Sequence, residues 1–232
     1  MLQRSEPIAL TAAEDGEAVP VQTWPLAYWP DQSVKWSAHA AVFPEGAASE
    51  QYILQKGEPQ DADDRITVHE SESEIEVDTG KIVCRLNRTG TVLIREIVRD
   101  GRVIGGNGRL VGIIEESNSE NGIEIIKHEE LSSTINEVQV EQNGPLRAVV
   151  KISGSHKNAV SSREWLPFYV RLYFYAQDDK VRMVHTFLYD GNPQHDFIKG
   201  LGVSFHVPVR GPLYNRHVRL AGDTGYFSES PK

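Results

Sequence analysis

No stretch of this sequence spaces apolar residues at i, i+3, i+4 and i+7 between proper caps, as an amphipathic helix would; strand-length runs separated by turn formers recur instead. Runs at Ile75–Val77, Ile82–Leu86, Val92–Val98, Leu110–Ile114, Ile123–Ile126 and Ile135–Val140 come first. Stronger ones follow at Leu146–Ser153, Phe168–Ala176, Val181–Tyr189 and Leu201–Val209. Between them lie turn signals such as Asp78-Thr79-Gly80, Asp100-Gly101, Gly105-Gly106-Asn107-Gly108 and Asp190-Gly191-Asn192-Pro193. This spacing predicts an all-β chain built as an antiparallel β-sandwich or barrel. Asp100-Gly101 predicts a tight hairpin, because both residues tolerate positive φ. Val181–Tyr189 is largely apolar on both faces, which predicts a central strand covered on both sides and paired with Phe168–Tyr175.

A chain of 232 residues allows one large β-domain or two smaller ones. Composition shifts around residues 56 to 74, where Lys56-Gly57-Glu58-Pro59 leads into Asp61-Ala62-Asp63-Asp64. A break there divides the chain into an N-terminal domain, 1–68, and a second domain, 69–232. The net charge of −9, with no basic block, argues against a nucleic-acid partner. No apolar run is long enough to span a membrane as a helix. Met1 to Glu6 lacks the order of a signal peptide, so the chain as written is expected in the cytoplasm; an extracellular location stays open if a longer N-terminus precedes it. The single cysteine, Cys84, lies in an alternating run and is expected to be a buried strand thiol. Both ends are abrupt, and Gly222 to Lys232 does not read as a closing strand, which suggests part of a larger protein.

Three of the four tryptophans fall between Trp24 and Trp36. Alternation puts Val34 and Trp36 on one face, which predicts Trp36 in a core. Trp24 and Trp29 each precede a proline, favouring extended or turn backbone, where they either close a small barrel or offer ring faces to sugars. Val19-Pro20-Val21-Gln22-Thr23-Trp24-Pro25-Leu26-Ala27-Tyr28-Trp29-Pro30-Asp31-Gln32-Ser33-Val34-Lys35-Trp36 resembles the N-terminal signature of the exo-rhamnogalacturonan lyase / YetA-like family, with Gln32 where a glycine is usual. Gly144–Val150, Val170–Ala176, Val181–Phe187 and Asp196–Gly202 extend the likeness over nearly the whole chain. The resemblance implies a small N-terminal RIFT-type barrel, then a central β-sandwich, with the family's C-terminal α/α toroid missing from this sequence. It also implies action on rhamnogalacturonan-type pectic polysaccharide by β-elimination, with the β-domains alone inactive.

Elimination beside a uronic acid needs a group to neutralise the carboxylate, a base such as Lys, His or Tyr, and an acid for the leaving oxygen. His185, Tyr189 and Lys199 are the candidates of suitable type for the catalytic roles; Trp24, Trp29, Asp190 and Asp196 are the candidates for saccharide contact. His185 sits mid-strand on an apolar face, where a hydrogen-bonded core histidine is the favoured reading over a catalytic one. Tyr189, Asp190, His195, Asp196 and Lys199 cluster in the segment after that strand, where a polar rim or a solvated loop is expected. No histidine or acidic spacing fits a metal site, and no cofactor motif is present: Gly105-Gly106-Asn107-Gly108 reads as a turn. The partner class is a polysaccharide or oligosaccharide; a carbohydrate-binding or structural β-module, and more remotely a glycoside hydrolase with paired carboxylates, are the alternatives.

Overall fold

A computed structural model describes residues 6–43, 49, 51–120 and 123–229. These residues form strands, with one 3-10 turn at Leu213–Asn215 and no α-helix among them. At the N-terminal end, β1 (Ile8–Ala12), β2 (Ala18–Val19), β3 (Val21–Tyr28), β4 (Val34–Ala41) and β5 (Tyr52–Lys56) make two small sheets. One runs β2-β1-β5; the other is the hairpin β3-β4, which carries the tryptophan-rich signature.

A ten-stranded antiparallel sheet follows, built from β6 (Thr67–Glu70), β7 (Glu74–Asp78), β8 (Val83–Asn87), β9 (Ile94–Arg99), β10 (Arg102–Glu120), β11 (Ile123–Asn143), β12 (Arg147–Asn158), β13 (Glu164–Tyr175), β14 (Arg182–Phe187) and β15 (Asp196–His206). Strand β10 joins its parts. One edge of it carries β9 along its first residues and β11 along its last, while the other edge carries β15. The sheet therefore folds into two layers. Apolar residues of β7 to β9, such as Ile75, Cys84 and Leu86, share one core with Ile152, Phe168 and Leu172 of β12 and β13. A smaller cluster of Ile114, Leu131, Trp165 and Leu166 closes the end nearest the start of β15. The hairpin β16 (Val218–Gly222) and β17 (Gly225–Glu229) pairs with itself and is exposed along both strands.

The expected hairpin at Asp100-Gly101 is present, with φ of +49° and +68° joining β9 to β10. Cys84 is fully buried in β8, as expected. Four expectations are corrected. Gly105-Gly106-Asn107-Gly108 is no turn but lies inside β10, at a bulge with Asn107 at φ +52°. A Cβ at Gly106 would stand 2.9 Å from the Arg95 carbonyl, so glycine here permits close approach of neighbouring strands. Strand β14 is not central but lies at the end of the sheet order; its apolar residues cover one layer and leave Phe187 partly exposed. Trp36 is 63% exposed, although Ala40, on the same face, is buried. Burial along β4 does not follow the alternation: Val34 is partly buried while Trp36, on the same face, is exposed. Residues 225–229, finally, do form a strand.

Candidate functional site

Where β13, β14 and β15 converge, the sequence candidates Tyr189, Asp190 and Asp196 meet. Asp196 is 5% exposed and opens β15. Its two carboxylate oxygens accept from Nη1 and Nη2 of Arg163 at 2.8 Å each, and Oδ2 also accepts the Asn192 backbone N–H at 2.6 Å. The Arg163 guanidinium lies 4.6 Å over the Trp165 ring, whose Nε1–H donates to Asn158 Oδ1 at 2.7 Å. The Tyr189 hydroxyl donates to the Asp196 carbonyl at 2.9 Å, and Asp190 Oδ1 accepts the Leu166 N–H at 2.8 Å. Hydrogen bonding from Arg163, then from Asn192, holds the Asp196 carboxyl below its ordinary range despite burial. Desolvation first, and the Asp196 charge second, push the Tyr189 hydroxyl up. Asp196 is thus an anion in a fixed pair and Tyr189 a neutral donor, each bonded inside the fold.

Leu166, at φ +47°, is a buried branched residue in a region that such residues rarely adopt. Its N–H goes to Asp190, and its carbonyl accepts Nδ1–H of His156 at 2.7 Å. The strained bulge is held from both sides. His156 is fully buried, and its ring lies 5.8 Å from that of His185, the catalytic candidate of β14. The Nε2 atoms of both are buried without a hydrogen-bond partner among the described residues. Burial lowers the affinity of both imidazoles for protons, and their mutual proximity lowers that of His185 further.

Lys199 lies elsewhere. Its Nζ is 3.0 Å from Glu115 Oε2, which also bonds Nε2 of His128 at 2.9 Å. The bond from His128, then that from Lys199, holds the Glu115 carboxyl below its ordinary range. Asp196 points to the buried side of the sheet while Lys199 is half-exposed, so the segment that looked like one polar cluster splits between a buried pair and a surface triad. His195, the remaining member, bonds the Ser117 carbonyl through Nδ1 at 2.9 Å.

The tryptophans divide as well. Trp24 packs on the main core, under the Arg147 guanidinium at 4.4 Å. The Gln22 amide, on the same strand, accepts from the N–H groups of Leu146 and Arg147 at 3.0 and 2.8 Å and donates to the Arg147 carbonyl at 3.2 Å. These contacts tie the β3-β4 hairpin to the sandwich. Trp29, 46% exposed, sits at the hairpin turn with Lys35 Nζ 4.4 Å over its ring. Gln32 in that turn has φ +67°, the conformation for which glycine is suited. Sequence reasoning missed Arg163, Glu115, His128 and Gln22; their partners lie on other strands, so no local spacing marks them. Among the described residues, no group of three or more His, Cys, Asp or Glu side chains is placed to hold a metal ion.

Two small N-terminal sheets tied to a folded-over ten-stranded sheet define a two-part β-protein with a barrel-type first domain and a sandwich second domain. Residues 1–57 match the PcRGLX-like N-terminal RIFT barrel domain, and residues 66–232 match the PcRGLX-like protein central beta sandwich domain. The chain belongs to the PcRGLX-like family. It is similar to "Uncharacterized protein YetA" of Bacillus subtilis (strain 168), at 40% identity over 228 residues, which are 98% of this chain and 26% of that protein. The chain therefore spans about a quarter of the length of that relative.

Proposed function

We propose that this chain is the non-catalytic β-domain portion of a polysaccharide lyase-like protein that acts on rhamnogalacturonan-type pectic polysaccharide by β-elimination. One observation carries the non-catalytic assignment. The acid–base candidates His185, Tyr189 and Lys199 occupy three separate environments, and the two that are hydrogen-bonded or ion-paired serve groups of the fold itself. Elimination needs a carboxylate neutraliser, a base and an acid around one sugar. Family membership and the share of the relative that is matched are consistent with a catalytic region elsewhere in a longer protein.

The test incubates rhamnogalacturonan with this chain and with a full-length parent protein, following the absorbance of the unsaturated uronate product. Product from the parent alone supports the proposal; product from this chain alone overturns it. A second reading, a carbohydrate-binding module, draws on the exposed rings of Trp29 and Trp36 at one hairpin tip, since aromatic faces suit sugar rings. Saccharide binding by the chain, with no product from either protein, would favour it.

A further inference from the structure

The tight turn at Asp100-Gly101 places Arg99 and Arg102 directly opposite each other across the ladder. Like charges at facing positions repel, so this pair is unfavourable unless anions lie near it. Arg99 is served by two carboxylates: its Nη1 is 2.9 Å from Asp179 Oδ2 and its Nε 3.9 Å from Asp100 Oδ2. Neither Arg102 nor Arg210 has a carboxylate within ion-pair distance among the described residues. Arg210, from the segment after β15, folds back onto the same hairpin and donates from Nη2 to the Val103 carbonyl at 3.1 Å. Together these residues border an open cleft of about 540 Å³ with an apolar wall of Val103, Ile104 and Pro208. In a chain of net charge −9, a cleft edged by three guanidinium groups is a local exception.

We infer that this cleft binds the carboxylates of an acidic oligosaccharide. Guanidinium forks match carboxylate geometry, and Arg102 and Arg210 keep theirs free of carboxylates among the described residues, while Arg99 is already paired with Asp179 through Nη1. The aliphatic wall suits the C–H face of a pyranose ring, which a bare inorganic anion would not use. Asp100 on the cleft rim and the chain's net charge of −9 disfavour ligands of high charge density, nucleic acid among them. The particular polymer, rhamnogalacturonan with its galacturonate carboxylates, rests on the function proposed above; the carboxylate chemistry does not.

The test titrates the isotope-labelled chain with trigalacturonate and follows backbone amide resonances. Saturable shifts centred on Arg102 to Ile104 are expected, together with loss of binding on full methyl esterification of the sugar. Arg102→Ala should weaken binding about tenfold, the scale of one charge-assisted hydrogen bond. Arg102→Glu should abolish it, and the exposed Lys127→Ala should leave it unchanged. Absence of saturation, equal binding of the ester, equal loss with Lys127→Ala, or tighter binding of a single-stranded oligonucleotide would each overturn the assignment. Equal binding of trimannuronate would support a uronate cleft while removing rhamnogalacturonan as its particular polymer. A parent protein without lyase product would overturn the proposed function and leave the cleft standing.

Discussion

His156 is fully buried and uses one ring nitrogen on the Leu166 carbonyl; its other nitrogen and that of His185 have no partner among the described residues. Because burial depresses the proton affinity of both in the folded state, the unfolded chain takes up protons first as pH falls. Their contribution is fully present above the ordinary imidazole value, about 6.5, and declines below it toward the depressed folded values. Urea midpoints should fall between about pH 7.5 and 5, with a shallower fall in His156→Gln; a flat wild-type profile over that range would contradict this account. Asp196 acts in a lower window. Its depressed pKa gives stability that is present above the ordinary carboxylate value, about 4, and is lost as pH falls through the folded value. Asp196→Asn should lower stability by about 2 kcal/mol at neutral pH, less than for a wholly buried pair because the Arg163 side chain is 38% exposed. The deficit against wild type should shrink under acid, read from the same denaturation curves. Cys84 is a third case: desolvation pushes its thiol up to about 12, so iodoacetamide should label the chain only when it is unfolded.

At the scale of elements, the long strands hold their register through bulges and close contacts. Gly154 in β12 lies opposite Phe168 and beside a register shift; a Cβ there would stand 2.0 Å from the Thr134 carbonyl and 2.6 Å from the Phe168 ring. Backbone cannot move aside as a flexible side chain can. Gly154→Ala should therefore cost about 2 kcal/mol or more, measured as a lowered urea midpoint. The strand pattern that made β12 and β13 legible lay in their alternation, which is local. Alternation put Trp36 on the face of Val34 and predicted a core position, yet Trp36 is exposed, because burial depends on what packs against that face and not on the period of the strand. The apolar second face of β14 misled in the same way: it specified what the strand carries, not which neighbours it has.

Across the whole molecule, the N-terminal strands and the sandwich meet through Gln22, Trp24 and Arg147. Gln22 caps two backbone N–H groups of the sandwich, so Gln22→Ala leaves both without that partner and should lower stability by about 2 kcal/mol. Thermal unfolding is expected as a single transition in the wild type and as two in Gln22→Ala as the parts uncouple; one unshifted transition in the variant would count against the seam. The sequence alone settled the all-β class, the tight hairpin at Asp100-Gly101, the buried thiol and the family, because period, turn chemistry and motif are written in consecutive residues. Tertiary structure alone decided that Asp196 pairs with Arg163, 33 residues away, that Lys199 joins Glu115 and His128 instead, and that β14 is an edge. Sheet order sets which side chains become neighbours across strands, and no local period encodes that order.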